Sequence, residues 1–234
     1  LGRIAHEAGA LFHTDAVQAY AHIPLDVDKL GVDALSVSAH KFHGPKGVGF
    51  LYCKRGLKTE PLISGGAQER GYRAGTENLA CIIGMAMAAQ LAFGKKGFEP
   101  TEAEALFAME TASAHVRTLH NKMQQFICAN IPNVQVNNCG NRCLPGILSV
   151  SFKGVSGEAL LALLDQQGVC ASAGSACASG SLEPSHVLTA MGVQPEWLRG
   201  TVRFSFSALT TEAEVEKACE ILREAVRHLR AVSA

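Results

Sequence analysis

The sequence predicts an α/β domain with a mostly parallel sheet over residues 1–97 and a smaller α+β domain over residues 98–234. In the first part, short apolar runs alternate with helix and turn signals, which is typical of a sheet covered by helices. The Gly/Pro/Lys-rich segment 94–100 interrupts this pattern and marks the predicted domain boundary. Beyond it, a long helical pattern and two separate strand-like segments predict helices packed on a small sheet.

Three short strands and one apolar helix are predicted in the first part. The strands cover residues 11–14, 34–38 and 47–52, each an apolar run bounded by turn signals. Asn78 is placed to cap a helix that continues to about Ala92. This helix is the longest apolar run of the chain and is shorter than a bilayer span, so we expect it to be buried.

The second part is predicted to begin with a single helix from Thr101 to about Asn130, which Pro132 ends. Strand-like segments follow at 146–152 and 201–206, where β-branched and apolar residues are frequent. Three further helices open at residues with capping side chains: Ser156, Ser185 and Thr211.

Composition argues against several classes of protein. The 21 Lys+Arg and 21 Asp+Glu residues balance, so we expect no nucleic-acid partner. No secretory signal opens the chain, so its eight cysteines do not predict a disulfide framework. Cys139 and Cys143 have no further ligands at zinc-site spacing, and no metal is predicted. The first residues resemble the tail of a helix, and we expect the sequence to be a piece of a longer protein.

Polar residues end two of the predicted strands. Asp15 ends the first, and Ser38, His40 and Lys41 end the second, so that Ser38 and Lys41 follow Asp15 by 23 and 26 residues. That is the length of a strand–helix–strand crossover, so the two strand ends can be neighbours. A carboxylate, a lysine, a histidine and a hydroxyl at one sheet edge could together bind pyridoxal phosphate. This cofactor requires an amine for its aldehyde, a carboxylate for its ring nitrogen and donors for its phosphate. The alternatives are a helix-capping Asp15 and a solvated Lys41 in a glycine-rich turn.

Two motifs at these strand ends carry a resemblance to a known family. They are His13-x-Asp15-x-x-Gln18 and Ser38-Ala39-His40-Lys41-x-x-Gly44-Pro45-Lys46-Gly47. Together they resemble the cofactor signature of fold-type I pyridoxal-phosphate enzymes, which have the aspartate-aminotransferase-like fold. More narrowly, they resemble the NifS-type, group I cysteine desulfurases. Residues 1–97 would then be the C-terminal part of the large cofactor-binding domain, since the family's N-terminal portion has no match in this sequence.

The resemblance implies a role for each polar residue of the site. Lys41 binds the cofactor covalently, and Asp15 pairs with its ring nitrogen. Gln18 hydrogen-bonds the phenolic oxygen of the cofactor, and Ser38 and His40 contact its phosphate. Lys41 and His40 are also expected to be catalytic.

A glycine-rich segment at 65–76 resembles the next motif of the family. There Thr76 would reach the phosphate bound by the other subunit, so the resemblance implies a homodimer. An ordinary mobile loop is the alternative.

A run of almost only Ala, Ser and Gly surrounds Cys177 at residues 171–181. Such side chains cannot pack a core, which favours a flexible loop that presents a thiol over a small-residue turn with an incidental cysteine. The run resembles the group I desulfurase loop, in which Cys177 would accept sulfur as a persulfide. Cys170 is expected to be structural, with a relay role left open.

Arg203 lies on an otherwise apolar predicted strand. Its planar, bidentate donor suits an α-carboxylate, and the resemblance assigns to it the carboxylate of the substrate L-cysteine. A surface arginine on an edge strand is the alternative.

The resemblance implies a cytoplasmic cysteine desulfurase that converts L-cysteine to L-alanine. Its sulfur would pass to an iron–sulfur scaffold or a tRNA-thiolation protein, without a membrane partner. A selenocysteine lyase, an aminotransferase of the same fold and an inactive piece acting as an interaction domain are the alternatives. The loop around Cys177 argues against the aminotransferase, which has no use for it.

Overall fold

The computed structural model describes residues 1–94, 101–137, 143–173 and 185–233. The chain forms two compact units, Leu1–Thr111 (unit 1) and Ala112–Ala234 (unit 2). The boundary predicted between residues 97 and 98 lies outside the described ranges and stays a prediction. Cys139 and Cys177 also lie outside them.

In its described residues, unit 1 contains three complete helices and a three-stranded sheet. Its elements are α1 (Gly2–Glu7), β1 (His13–Asp15), α2 (Val27–Leu30), β2 (Ala34–Ser38), β3 (Gly49–Cys53) and α3 (Leu79–Ala92), with 3-10 turns at Ala39–Phe42 and Gln68–Gly71. The strand order is β1-β2-β3, with β1 parallel and β3 antiparallel to β2. The predicted α/β class is confirmed, and the described sheet is mixed.

Alternation along β2 explains how the sheet of unit 1 is covered. Leu35 and Val37 are buried, while Ser36 and Ser38 lie on the opposite face and are half-buried. Asn78 caps α3 as predicted, because its side-chain oxygen accepts a hydrogen bond from the Cys81 amide at 3.3 Å. Helix α3 packs on the Leu35 and Val37 side of the sheet, where the buried residues of the unit form a small cluster.

Unit 2 is built on a second three-stranded sheet. Helix α4 (Glu102–Asn130) begins in unit 1 and ends in unit 2, which also contains β4 (Val134–Val136), β5 (Ile147–Phe152), α5 (Gly157–Gln166), α6 (His186–Ala190), α7 (Pro195–Leu198), β6 (Thr201–Ser205) and α8 (Glu212–Ser233). The strand order is β4-β5-β6, and both pairings are antiparallel. The α+β character is thus as predicted, whereas β4 has no predicted counterpart because three residues carry too short a pattern.

The core of unit 2 forms where α4, α5 and α8 contact one face of this sheet. Leu148, Val150 and Phe152 of β5 point into it and are completely buried. Helix α8 contributes apolar residues at helical spacing, among them Val215 and Leu222.

One arginine joins three chain segments of unit 2. Arg230 of α8 donates hydrogen bonds to the carbonyls of Pro132 at 2.8 Å, Asn133 at 3.1 Å and Lys153 at 3.1 Å. These carbonyls follow the ends of α4 and β5, where the Lys153 amide also donates to the Asn133 carbonyl at 3.1 Å. Of the helices in the described ranges, none combines the length and apolarity needed to cross a membrane.

Candidate functional site

The ends of β1 and β2 lie side by side in unit 1. The two strands are parallel neighbours, with Asp15 opposite Ser36, and the Ala16 amide extends the pairing by donating to the Ser36 carbonyl at 2.9 Å. Parallel neighbours end at the same edge of a sheet, so Asp15 and Ser38 share that edge. The predicted proximity of the two strand ends is therefore confirmed.

Asp15 is exposed and is oriented by its own backbone. Its Oδ1 accepts a hydrogen bond from the Val17 amide at 2.8 Å. This local hydrogen bond is of the kind expected if Asp15 only caps the following turn. It also fixes the orientation of the carboxylate. Gln18 follows in the same turn and is also exposed.

Ser38 and His40 contact each other directly. Ser38 Oγ lies 2.8 Å from His40 Nδ1, and the tautomer of the ring decides which atom donates. Lys41 lies in the same 3-10 turn, Ala39–Phe42. Ala39 and Phe42 are buried in the core, so His40 is left exposed and Lys41 half-buried.

Glycines allow the chain to turn back immediately after Lys41. The Gly44 amide donates to the Ala39 carbonyl at 2.9 Å, and a Cβ at Gly44 would stand 2.8 Å from the Ala39 Cβ. At Gly49, a Cβ would meet the Val37 carbonyl oxygen at 2.2 Å. The glycines therefore let β3 return along β2 and hold the Lys41 turn close to the sheet.

An aromatic cluster around Tyr20 packs against the turn that contains Lys41. The Tyr20 ring meets Phe42 and Phe50 edge-on at 5.1 Å and Phe93 at 5.5 Å. Burial raises the pKa of the Tyr20 hydroxyl. The sequence gives little signal for Tyr20, which lies in a turn without apolar periodicity, yet it fixes Phe42 one residue after Lys41.

Thr76 is exposed, in a loop that is ordered by its own hydrogen bonds. The Gly75 amide donates to Gln68 Oε1 at 3.1 Å, and the Ala74 amide donates to the Ile63 carbonyl at 3.1 Å. The role of Thr76 in a second subunit stays a prediction.

Arg203 lies on β6 in unit 2, between two paired segments. It faces Ser149 of β5 on one side, and on the other its amide and carbonyl pair with Ser172 at 2.6 and 3.1 Å. The edge-strand alternative therefore does not hold at this position. The Arg203 Nε is buried without a hydrogen-bond partner among the described residues. An N–H of this kind suits an incoming anionic group.

A polar network lies on the same face of the sheet as Arg203. Asn137 Nδ2 donates to Ser149 Oγ at 3.2 Å and to Ser151 Oγ at 2.9 Å, and Ser151 Oγ lies 2.7 Å from Thr201 Oγ1. Sequence reasoning missed Asn137, although the alternation of serines with apolar residues along β5 indicates a polar second face.

Comparison with known proteins identifies the family. The aminotransferase class-V profile matches residues 1–218. The chain belongs to the aminotransferase class-V family. Within this class-V family, a cysteine desulfurase of Trichormus azollae is 45% identical over 233 residues, which are 100% of this chain and 55% of the relative. The chain thus spans about half the length of the curated relatives it matches.

Solved structures agree with this class-V assignment. A NifS-like protein superposes with a TM-score of 0.82 at 35% identity, over 97% of this chain and 55% of its own. SspA in complex with cysteine gives a TM-score of 0.64 at 31% identity, over 90% of this chain and 54% of its own. The predicted resemblance to NifS-type cysteine desulfurases is confirmed, while the roles of single residues stay predictions.

Proposed function

We propose that this chain functions as a pyridoxal-phosphate-dependent cysteine desulfurase, converting L-cysteine to L-alanine with sulfur held as a persulfide on Cys177. The observation that carries the proposal is the shared edge of β1 and β2, where Asp15, Ser38 and Lys41 stand together. The 45% identity to a cysteine desulfurase supports the choice of reaction.

The residues at this edge fit the cofactor. Lys41 would hold its aldehyde, and the Asp15 carboxylate, which its own turn orients, would pair with its ring nitrogen. Gln18 would bind its phenolic oxygen, and Ser38 and His40, 2.8 Å apart, would contact its phosphate. When bound, pyridoxal phosphate accepts the electron pair released at the substrate's α-carbon. Thr76 would complete the phosphate site of a second subunit, which makes the proposed active form a homodimer.

Arg203 binds the substrate's carboxylate. Its buried Nε, which lacks a partner among the described residues, supports this role because a carboxylate can accept from two guanidinium N–H groups at once. A structural neighbour that is 31% identical was solved in complex with cysteine, which supports cysteine as the substrate.

The transfer of sulfur to Cys177 requires no additional oxidant or reductant. The Cys177 thiolate attacks the sulfur of the bound cysteine, so that an S–S bond forms and the C–S bond breaks. The C–S electron pair remains with the substrate carbon, which takes up a proton to give alanine. Lys41 and His40, in one turn, are the groups that move protons at the substrate. The persulfide passes to an iron–sulfur scaffold or tRNA-thiolation protein in the cytoplasm.

The test is alanine formation from L-cysteine by the cofactor-loaded chain in the presence of a reductant. Cys177→Ala is expected to reduce it to background, whereas Cys170→Ala serves as the matched control and retains it. Lys41→Ala is expected to lose the visible absorbance of lysine-bound cofactor. A wild-type chain that forms no alanine would contradict the proposal and favour the interaction-domain alternative.

A further inference from the structure

Ser149 and Arg203 are neighbours across two antiparallel strands of unit 2. They are register partners of β5 and β6. The amide and the carbonyl of Arg203 both bond to Ser172, at 2.6 and 3.1 Å, so both point away from Ser149. A pair of this kind brings its Cβ atoms closer together than a hydrogen-bonded pair does. The Ser149 and Arg203 side chains therefore lie next to each other on one face of the sheet.

The Arg203 Nε–H is buried and has no acceptor among the described residues. Burial of a donor costs free energy unless a partner is supplied. Ser149 Oγ is an acceptor in the adjacent position, and a rotation about the Ser149 Cα–Cβ bond would turn it toward Arg203. Because that hydrogen bond is not formed, the Ser149 hydroxyl must be held in another direction.

Asn137 holds this hydroxyl on the side of β5 that faces away from Arg203. Its backbone amide donates to the Ser149 carbonyl at 2.9 Å. Its side-chain Nδ2 donates to Ser149 Oγ at 3.2 Å and to Ser151 Oγ at 2.9 Å. Gln135 Nε2 lies 3.4 Å from Asn137 Oδ1, which agrees with this orientation of the amide.

Burial makes the contact with Asn137 persistent. Asn137 is 7% exposed and Ser151 is completely buried. Ser151 Oγ lies 2.7 Å from Thr201 Oγ1, which donates to the Trp197 carbonyl at 3.3 Å. A satisfied network of this kind does not readily exchange its hydrogen bonds for bonds to water. Because a buried amide gains little net stability, its presence points to the placement of Ser149.

We propose that Asn137 is a positioning residue that keeps the Arg203 Nε–H available for the α-carboxylate of the substrate. It holds Ser149 Oγ, the hydroxyl that would otherwise accept from this Nε–H. An incoming carboxylate then displaces no existing hydrogen bond, and it can accept from two guanidinium N–H groups at once. The inference rests on the proposed role of Arg203 in binding the substrate's carboxylate.

The test follows the Arg203 Nε–H by nuclear magnetic resonance in the 234-residue chain, with L-alanine as the carboxylate probe. Arg203→Lys lacks this resonance and so identifies it. In the wild type, L-alanine is expected to shift the resonance. In Asn137→Ala, Ser149 is expected to turn and accept from Nε. The Nε–H should then exchange with solvent more slowly, and L-alanine should bind about 10-fold more weakly.

A double substitution separates positioning from a structural role. Ser149→Ala removes the competing acceptor, so it is expected to leave the Arg203 Nε–H without a partner. Asn137→Ala combined with Ser149→Ala is therefore expected to recover most of the lost binding, whereas a structural defect would grow with the second deletion. Asn130→Ala is the matched control and is expected to bind like the wild type, because Asn130 Nδ2 donates to the Phe126 carbonyl at 2.8 Å, within α4.

Three results would overturn the proposal. The wild-type Arg203 resonance does not respond to L-alanine, Asn137→Ala binds L-alanine as tightly as Asn130→Ala, or the double variant binds no better than Asn137→Ala. The backbone amide spectrum shows whether each variant is folded, and Asn137→Leu, which keeps the side-chain volume, replaces an unfolded Asn137→Ala. The measurement needs no turnover, so a chain that binds L-alanine at Arg203 but forms no alanine from L-cysteine would contradict the desulfurase proposal alone.

Discussion

The two units of this chain bury their apolar residues to very different extents. The core cluster described in unit 2 contains nineteen buried residues, and that of unit 1 contains seven. Thirteen of the seventeen large apolar residues exposed in the described ranges belong to unit 1. Unit 2 therefore has the larger described core, whereas unit 1 carries the proposed cofactor residues on a sheet whose buried cluster lies on one face.

The same substitution in each core tests this contrast most strongly. Leu148 in unit 2 is completely buried, and Leu35 in unit 1 is 3% exposed. We expect Leu148→Ala to lower the free energy of unfolding by about 4 kcal/mol and Leu35→Ala by about 2 kcal/mol, because a thin core collapses more easily around a deleted side chain.

Hydrogen exchange followed by mass spectrometry can measure both losses, since peptides from each unit report separately. Equal losses of unfolding free energy in the two units would show that the two cores do not differ in how much each buried leucine contributes.

Arg230 tests whether unit 2 also depends on polar connections. Arg230→Ala leaves the carbonyls of Pro132, Asn133 and Lys153 without this donor, and we expect a loss of about 2 kcal/mol. Arg227→Ala is the control, because Arg227 is exposed and pairs only locally with Glu224. Denaturant unfolding measures both variants, and a loss as small as that of the control would mean that solvent replaces the donor.

Acidification is expected to weaken unit 1 through Asp33. Its carboxylate accepts hydrogen bonds from the Phe12 amide at 2.8 Å and lies 2.8 Å from His6 Nε2, and these contacts lower the Asp33 pKa. A lowered folded-state pKa gives stability that is present above the unfolded pKa, about 3.9, and is lost as pH falls through the folded value.

Exchange of unit 1 peptides measured from pH 6 to pH 2.5 should show this loss. Asp33→Asn should be less stable at pH 6 and should lack the acid-dependent step. A step that persists in the variant would assign it to another carboxylate.

Thiol labelling compares the exposure of the two units in the native chain, without any substitution. Burial raises the pKa of the Cys219 thiol in unit 2 to about 11, so at pH 8 it is protonated and shielded. Cys81 in unit 1 is half-exposed. We expect iodoacetamide to modify Cys81 in the native chain and Cys219 only after unfolding, as read by peptide mass mapping. Equal rates would show that unit 2 opens as readily as unit 1.

Sequence patterns predict most elements here because their signals are local. Asn78 and Ser156 cap their helices through side-chain hydrogen bonds, and the glycines after Lys41 follow from close backbone approach. Tyr20 and Asn137 escape such reasoning because their roles depend on contacts with residues far along the chain. The prediction that α3 is buried holds for one face only, because Ala88 is buried while Ile83 and Met87 are exposed. The apolar sequence predicts that a helix is covered but does not say by which segment.

The pairing of Ser172 with Arg203 has a consequence for the proposed transfer of sulfur. Five residues lead from Ser172 to Cys177 in the sequence, and a fully extended chain of five residues reaches about 17 Å. The guanidinium proposed to hold the substrate and the thiol proposed to take its sulfur therefore share one anchor on β6. Under the proposed function, an acceptor protein would have to approach within that radius, so we expect it to bind the surface around the Ser172–Arg203 pairing.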